Sequence, residues 1–160
     1  MSLHTISLFV ENHSGALSRI AGLFSSRGYN ISSIACGITE DPTTSHLTIV
    51  VNGDKNILEQ VVKQLNRLID VIKVKDFHNE PVIDRELMLT NIRTTKGNRQ
   101  EILTLINTFN GKIASASSSS IIVEMSGTSS TIDNFITLVR PYGIKELIRS
   151  GKIAMAEAKN

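Results

Sequence analysis

The amino-acid sequence predicts an α+β protein built as two ferredoxin-like βαββαβ domains in tandem. Three observations predict it. Hydrophobic periodicity over residues 4–77 reads strand, helix, strand, strand, helix, strand; the same order recurs over residues 85–151; and glycines punctuate both halves at matching places. A length of 160 residues suits two small domains.

In the first half, residues 4–11 alternate and are rich in Ile, Leu, Phe and Val, as a strand requires. Residues 16–27 follow as a helix whose buried stripe is Ala16, Leu17, Ile20, Leu23 and Phe24, with Asn12 or Ser14 as its cap and Gly28 as its left-handed end. The runs "ISSIACGITE" and "SHLTIVVNG" are strands joined through the turn "DPTT". Residues 55–68 place Ile57, Leu58, Val61, Val62, Leu65 and Leu68 at helical spacing, and "VIKVKDF" closes the unit as a strand.

The second half starts with "RELMLTNIRT" and a helix at about residues 99–109 carrying Ile102, Leu103, Ile106 and Phe109. That helix stops at Gly111, as the first stops at Gly28. The strands "KIASAS" and "SIIVEMSG" flank a polar turn in the serine run at 115–120. A helix with Ile132, Phe135, Ile136 and Val139 follows, then the strand "IKELIRSG". The charged segment "HNEPVIDRE" with Pro81 marks a linker. The expected organisation is therefore residues 1–78 as one domain, 79–85 as linker and 86–160 as the second domain, with 154–160 frayed. Each unit would carry both helices on one face of an antiparallel sheet, leaving the other face and the edges uncovered. A homodimer, or pairing between units, would cover them.

The chemistry points to binding rather than catalysis. Seventeen basic residues against 15 acidic give a formal charge of +2 without a long basic run, so nucleic acid is not indicated. Aromatics are scarce, and although Phe9 lies on the first strand, Phe24, Phe109 and Phe135 fall on helical stripes, unlike an RNA-stacking sheet. No apolar run reaches membrane-span length and the first residues lack a signal-peptide pattern, so no membrane role and a cytoplasmic location are expected. The single Cys36 reads as a small buried thiol. His4, His13, His46 and His78 stand apart, without ligand spacing for a metal, and His13 reads as a solvated loop residue. Glu11, Glu40, Asp41, Asp54 and Asp70 read as exposed positions flanking strands, turns and helices. No Walker loop, nucleophile elbow or dinucleotide fingerprint is present, nor an Arg–Asn phosphate loop of the kind an acylphosphatase-like hydrolase needs.

One residue exceeds the needs of the fold. Gly15 stands at the start of the first helix, where the lack of a side chain leaves backbone N–H groups and the positive dipole end open to an anion, although glycine is also an ordinary N-cap. The segment "ENHSGALSRIAGLFSSRGYNISSI" resembles the opening of an ACT domain, the amino-acid-sensing module. With "DPTTSHLTIVV", "LEQVVKQLNRLIDVIKV", "DRELMLTNI" and "SGTSSTIDNF" it resembles the acetolactate synthase (acetohydroxyacid synthase) small-subunit family over essentially the whole chain.

That resemblance implies a regulatory subunit, without a catalytic site of its own, that binds and activates the large catalytic subunit and confers feedback inhibition by valine in branched-chain amino-acid biosynthesis. Thiamine diphosphate, Mg²⁺ and FAD would belong to the catalytic subunit, which condenses two pyruvates or pyruvate with 2-ketobutyrate. The effector pocket implied here uses Asn12, Gly15, Ala16 and Leu17, closed by Asn30 and Ile31 across a homodimer. The second half, reading "TTKGNRQEI" without the Ala-Leu pair, would carry no effector and would support dimerisation or contact with the large subunit. A free-standing ACT-type sensor of another enzyme is the alternative. The choice among valine, leucine and isoleucine stays open, since they differ by a methylene or a branch.

Overall fold

The computed structural model describes residues 2–159. It divides into two compact units. One runs to Ile83 and takes up the chain again from Lys152; the other is Asp84–Gly151.

In the first unit the elements are β1 (Ser2–Glu11), α1 (Ala16–Arg27), β2 (Asn30–Ile38), β3 (Thr44–Gly53), α2 (Lys55–Leu65) and β4 (Val71–Asp76). The antiparallel sheet has the order β2-β3-β1-β4. Pairing of Ile6 with Ile49 and of Leu8 with Leu47 puts alternate residues of the two central strands on one face. These pack with Ile20 and Phe24 of α1 and Leu58, Val61 and Leu65 of α2 into one core. Asp54 caps α2, accepting from Ile57 N–H at 2.9 Å.

The second unit repeats the plan: β5 (Val82–Arg93), α3 (Arg99–Thr108), β6 (Lys112–Ala116), β7 (Ser120–Gly127), α4 (Ser129–Val139), a short 3-10 turn Arg140–Tyr142, and β8 (Ile144–Arg149). Its sheet order is β6-β7-β5-β8. Met88, Ile92, Ile121, Val123 and Met125 from the sheet meet Ile102, Ile106, Ile132, Phe135 and Val139 from the helices. Only residues 117–119 of the serine run form the turn, since Ser115 lies in β6 and Ser120 opens β7; Ser117 Oγ accepts from the N–H groups of Ser119 and Ser120 at 3.2 and 3.1 Å.

Several expectations are corrected. The segment 79–85 is not linker throughout, because β5 starts at Val82. The stretch 154–160 is not frayed throughout: β9 (Ile153–Ala156) is a strand that pairs with β5, and residues from Lys152 group with the first unit, while Asn160 lies outside the described residues. Ala154 N–H donates to Thr48 Oγ1 at 3.3 Å and Glu157 N–H to the Pro81 carbonyl at 3.1 Å. Thr48 and Ser7, which the strand register puts on the face away from the helices, are consequently buried. The open face of the first sheet is thus partly covered by the chain itself. Cys36 is exposed, not buried. It lies on β2 at the sheet edge, in alternation with Ile34 and Ile38, which are also exposed.

Candidate functional site

β1 runs out at Glu11 and α1 begins at Ala16, so four residues must turn the chain from sheet to helix. Asn12 anchors this loop to the β2–β3 turn. Its N–H donates to the Thr43 carbonyl at 2.8 Å and its Nδ2 to the Pro42 carbonyl at 2.9 Å, which leaves the amide oxygen as an acceptor. Neither Asn12 nor Ser14 caps the helix. Gly15 occupies the cap position in the left-handed region (φ +90°), and no side chain bonds the first turn.

The space over Gly15 is not empty. A Cβ placed there would stand 3.2 Å from Arg19 Nη1, so the missing side chain admits the guanidinium of the next turn. Arg19 is joined in turn to Asp70, with Nε donating to Oδ2 and Nη2 to Oδ1 at 3.1 Å. Asp70 is 2% exposed, whereas its position in the sequence suggests an open loop. His13 completes the cluster: Nε2 lies 2.8 Å from Asp70 Oδ1 and 3.1 Å from Glu11 Oε2, and Nδ1 lies 3.1 Å from the Ser14 carbonyl. The loop histidine is therefore partnered, not merely solvated.

Electrostatics follow from these contacts. The Arg19 hydrogen bond holds the Asp70 carboxyl below the usual carboxylate range, helped by the charges of Arg19 and His13. The His13 imidazole is pushed above the ordinary histidine value, first by its bond to the Ser14 carbonyl and then by Glu11 and Asp70. Glu11, His13 and Asp70 bring ligand atoms within 4.8 Å of one another, as a metal site would. Arg19, however, donates to both Asp70 oxygens, so the cluster already holds its cation.

Among the residues named from the sequence, Asn12, Gly15, Ala16 and Leu17 lie together at the start of α1. Ala16 is buried and Leu17 is half exposed, presenting apolar surface there. Asn30 and Ile31 open β2, beyond the far end of α1. A helix of 12 residues is about 18 Å long. Within one chain the two groups therefore do not converge. Asn30 is exposed and pairs with Asn52, while Ile31 is partly buried against the chain's own core.

Comparison with known proteins decides the family. Residues 6–73 match the AHAS small subunit-like ACT domain, and residues 85–158 match the small subunit of acetolactate synthase. The chain belongs to the acetolactate synthase small-subunit family. A probable acetolactate synthase small subunit of Archaeoglobus fulgidus is 47% identical over 95% of this chain and 95% of its own length. The acetolactate synthase small subunit of Mycobacterium leprae is 39% identical over 96% of this chain and 90% of its own. The crystal structure of the small subunit from Thermotoga maritima superposes with a TM-score of 0.91 at 36% identity, covering all of both chains.

In this small subunit the ACT match spans every residue named for the effector pocket, and also Arg19 and Asp70. Sequence reasoning missed those two because each has an ordinary alternative explanation: Arg19 as a solvated helix residue and Asp70 as a polar loop residue. The available signal was an arginine one turn after Gly15, facing a glycine that helix termination did not require. No helix among the described residues is long and apolar enough to cross a membrane.

Proposed function

We propose that this small subunit binds the acetolactate synthase catalytic subunit, raises its activity and makes it sensitive to feedback by a branched-chain amino acid, with L-valine the first candidate. Thiamine diphosphate, Mg²⁺ and FAD would reside in the catalytic subunit, where pyruvate is condensed. The observation that carries the effector reading is the uncapped start of α1 at the left-handed Gly15, with the Arg19 guanidinium beside it. A zwitterionic amino acid needs donors for its carboxylate, an oxygen for its ammonium and a dry wall for its side chain. The α1 start and Arg19 are donors, the Asn12 amide oxygen is an acceptor, and Leu17 is apolar. Full burial of a valine side chain would add roughly 1.5 to 3 kcal/mol.

The separation of Asn30 and Ile31 from the loop supports a homodimeric pocket, in which a second copy brings its β2 start to the α1 start of the first. Feedback then has a physical basis, because ligand that completes a contact between copies binds one arrangement better than another. The test is reconstitution with the catalytic subunit. Copurification, a higher acetolactate rate and inhibition by L-valine only in the complex are expected; a complex whose rate ignores the small subunit would overturn the reading.

A further inference from the structure

The ring nitrogens of His13 face acceptors only. Nδ1 meets the Ser14 carbonyl, and Nε2 meets the carboxylates of Glu11 and Asp70. A neutral imidazole carries one N–H and one lone pair, so in either tautomer a lone pair would face a carbonyl or a carboxylate. Only the doubly protonated ring satisfies the arrangement. With it the cluster is balanced, Glu11 and Asp70 against His13 and Arg19.

We propose that His13, as an imidazolium, is the positioning residue of the α1 loop: it ties residues 12–15 to Glu11 and Asp70, so that loop order and effector affinity fall together when it loses its proton. The affinity part rests on the reading of this loop as the effector site. The groups facing His13 are Glu11 on β1, Asp70 before β4 and, through Asp70, Arg19 on α1. The β2–β3 turn that holds Asn12 carries Glu40 and Asp41, and the Asp41 carboxylate is taken up by Thr43 at 2.9 and 2.7 Å. Loss of the His13 proton leaves the cluster one negative charge in excess beside the helix start, which opposes an incoming carboxylate.

The test combines the His13 ring signal in NMR, L-valine titration calorimetry and amide exchange of residues 13–17, corrected for intrinsic rate, on the full chain from about pH 6 to about pH 9. Wild-type affinity is expected to weaken several-fold over this range, at a limiting slope of about tenfold per pH unit for one proton. His13→Gln is expected to bind weakly with a flat profile, and His13→Arg, which keeps the charge, to bind tightly with a flat profile. Glu11→Gln, at an exposed site where folding is not at stake, is expected to lower the pH at which the ring titrates. A ring titrating at or below the ordinary histidine value overturns the proposal, as does a flat wild-type affinity across a titrating ring. Absence of L-valine binding at every pH overturns the effector reading instead. In that case the exchange data decide: protection lost as the ring deprotonates supports the positioning role, and unchanged protection overturns it.

Discussion

Arg19 and Asp70, fifty-one positions apart, are joined by a two-point guanidinium–carboxylate contact beside Gly15 at the start of α1. The bond links the first helix to the segment before β4, and the Glu11 N–H donates to the Asp70 carbonyl at 2.8 Å from the third side. Asp70 thus fixes helix and loop through its buried carboxylate and the strand end through its backbone carbonyl.

Its pH signature has a definite sign. The folded-state value of Asp70 is depressed, so its contribution is present above the unfolded carboxylate range and is lost as pH falls through the lower folded value. His13 is raised, so its contribution is full below the ordinary histidine value and is lost as pH climbs through the folded one. The stability difference between wild type and Asp70→Asn, measured by urea unfolding, should therefore be greatest in the mildly acidic window between these limits. It should shrink on both sides. A difference that keeps growing into alkali would contradict the assignment.

Gly15 sets a second prediction. Its left-handed φ costs a residue with a Cβ about 1 to 2 kcal/mol, and the Cβ would press on Arg19 Nη1. Gly15→Ala should lower stability by about that amount. It should also displace the guanidinium, visible as a change in the Arg19 Nε–H NMR signal. Gly15→Asp should perturb the fold locally as well as block an effector carboxylate, so loss of binding in that variant alone is not diagnostic. Retained stability in Gly15→Ala would mean that the loop relaxes to another conformation.

The helix ends show what the sequence carries and what it conceals. Gly28 and Gly111 look equivalent, yet only Gly28 is left-handed, its N–H bonding the Ser25 carbonyl at 3.2 Å. In the second unit Asn110 takes the positive φ, at 55°, and Gly111 is small because its Cβ would meet Ile106 Cγ2 and Val123 Cγ1 at 3.2 Å. Asn110→Gly should then stabilise by roughly 0.5 to 1 kcal/mol, and Gly111→Ala should destabilise by about 1 to 3 kcal/mol. Thermal unfolding of both variants reads the two signs, and the opposite pair would restore the equivalence of the two glycines.

Periodicity exposes the helices and strands because each must bury one stripe, as Phe24 on α1 and Phe135 on α4 do. It is silent on contacts between distant segments. Asp70, Glu11 and His13 each look solvated in their own neighbourhood, and only the folded β1–α1–β4 corner makes them one cluster. Cys36 misled for a related reason. Alternation assigns it to a face, but burial depends on whether a helix reaches over the sheet edge, and no local pattern records that.

The C-terminal strand gives the last prediction. Residues 154–160 carry no strong strand pattern, because β9 is only four residues long; it pairs with β5 and lays Ala154 against Thr48. Ala154 is 7% exposed with its N–H on Thr48, while its neighbours Ile153 and Met155 point outward and are largely exposed. A carboxylate at 154 would be driven into the site beside Thr48 without a partner, a cost of about 1 to 3 kcal/mol that four residues cannot offset. Ala154→Asp should therefore detach β9 while the paired β1–β3 core persists. Limited proteolysis should remove residues from about Lys152 onward in the variant and spare the wild type, and the amide of Thr48 should remain protected because its backbone pairs with Ser7. If Thr48 lost protection as well, β9 would be integral to the first sheet. If neither changed, the Ala154 contact would not be what holds the strand.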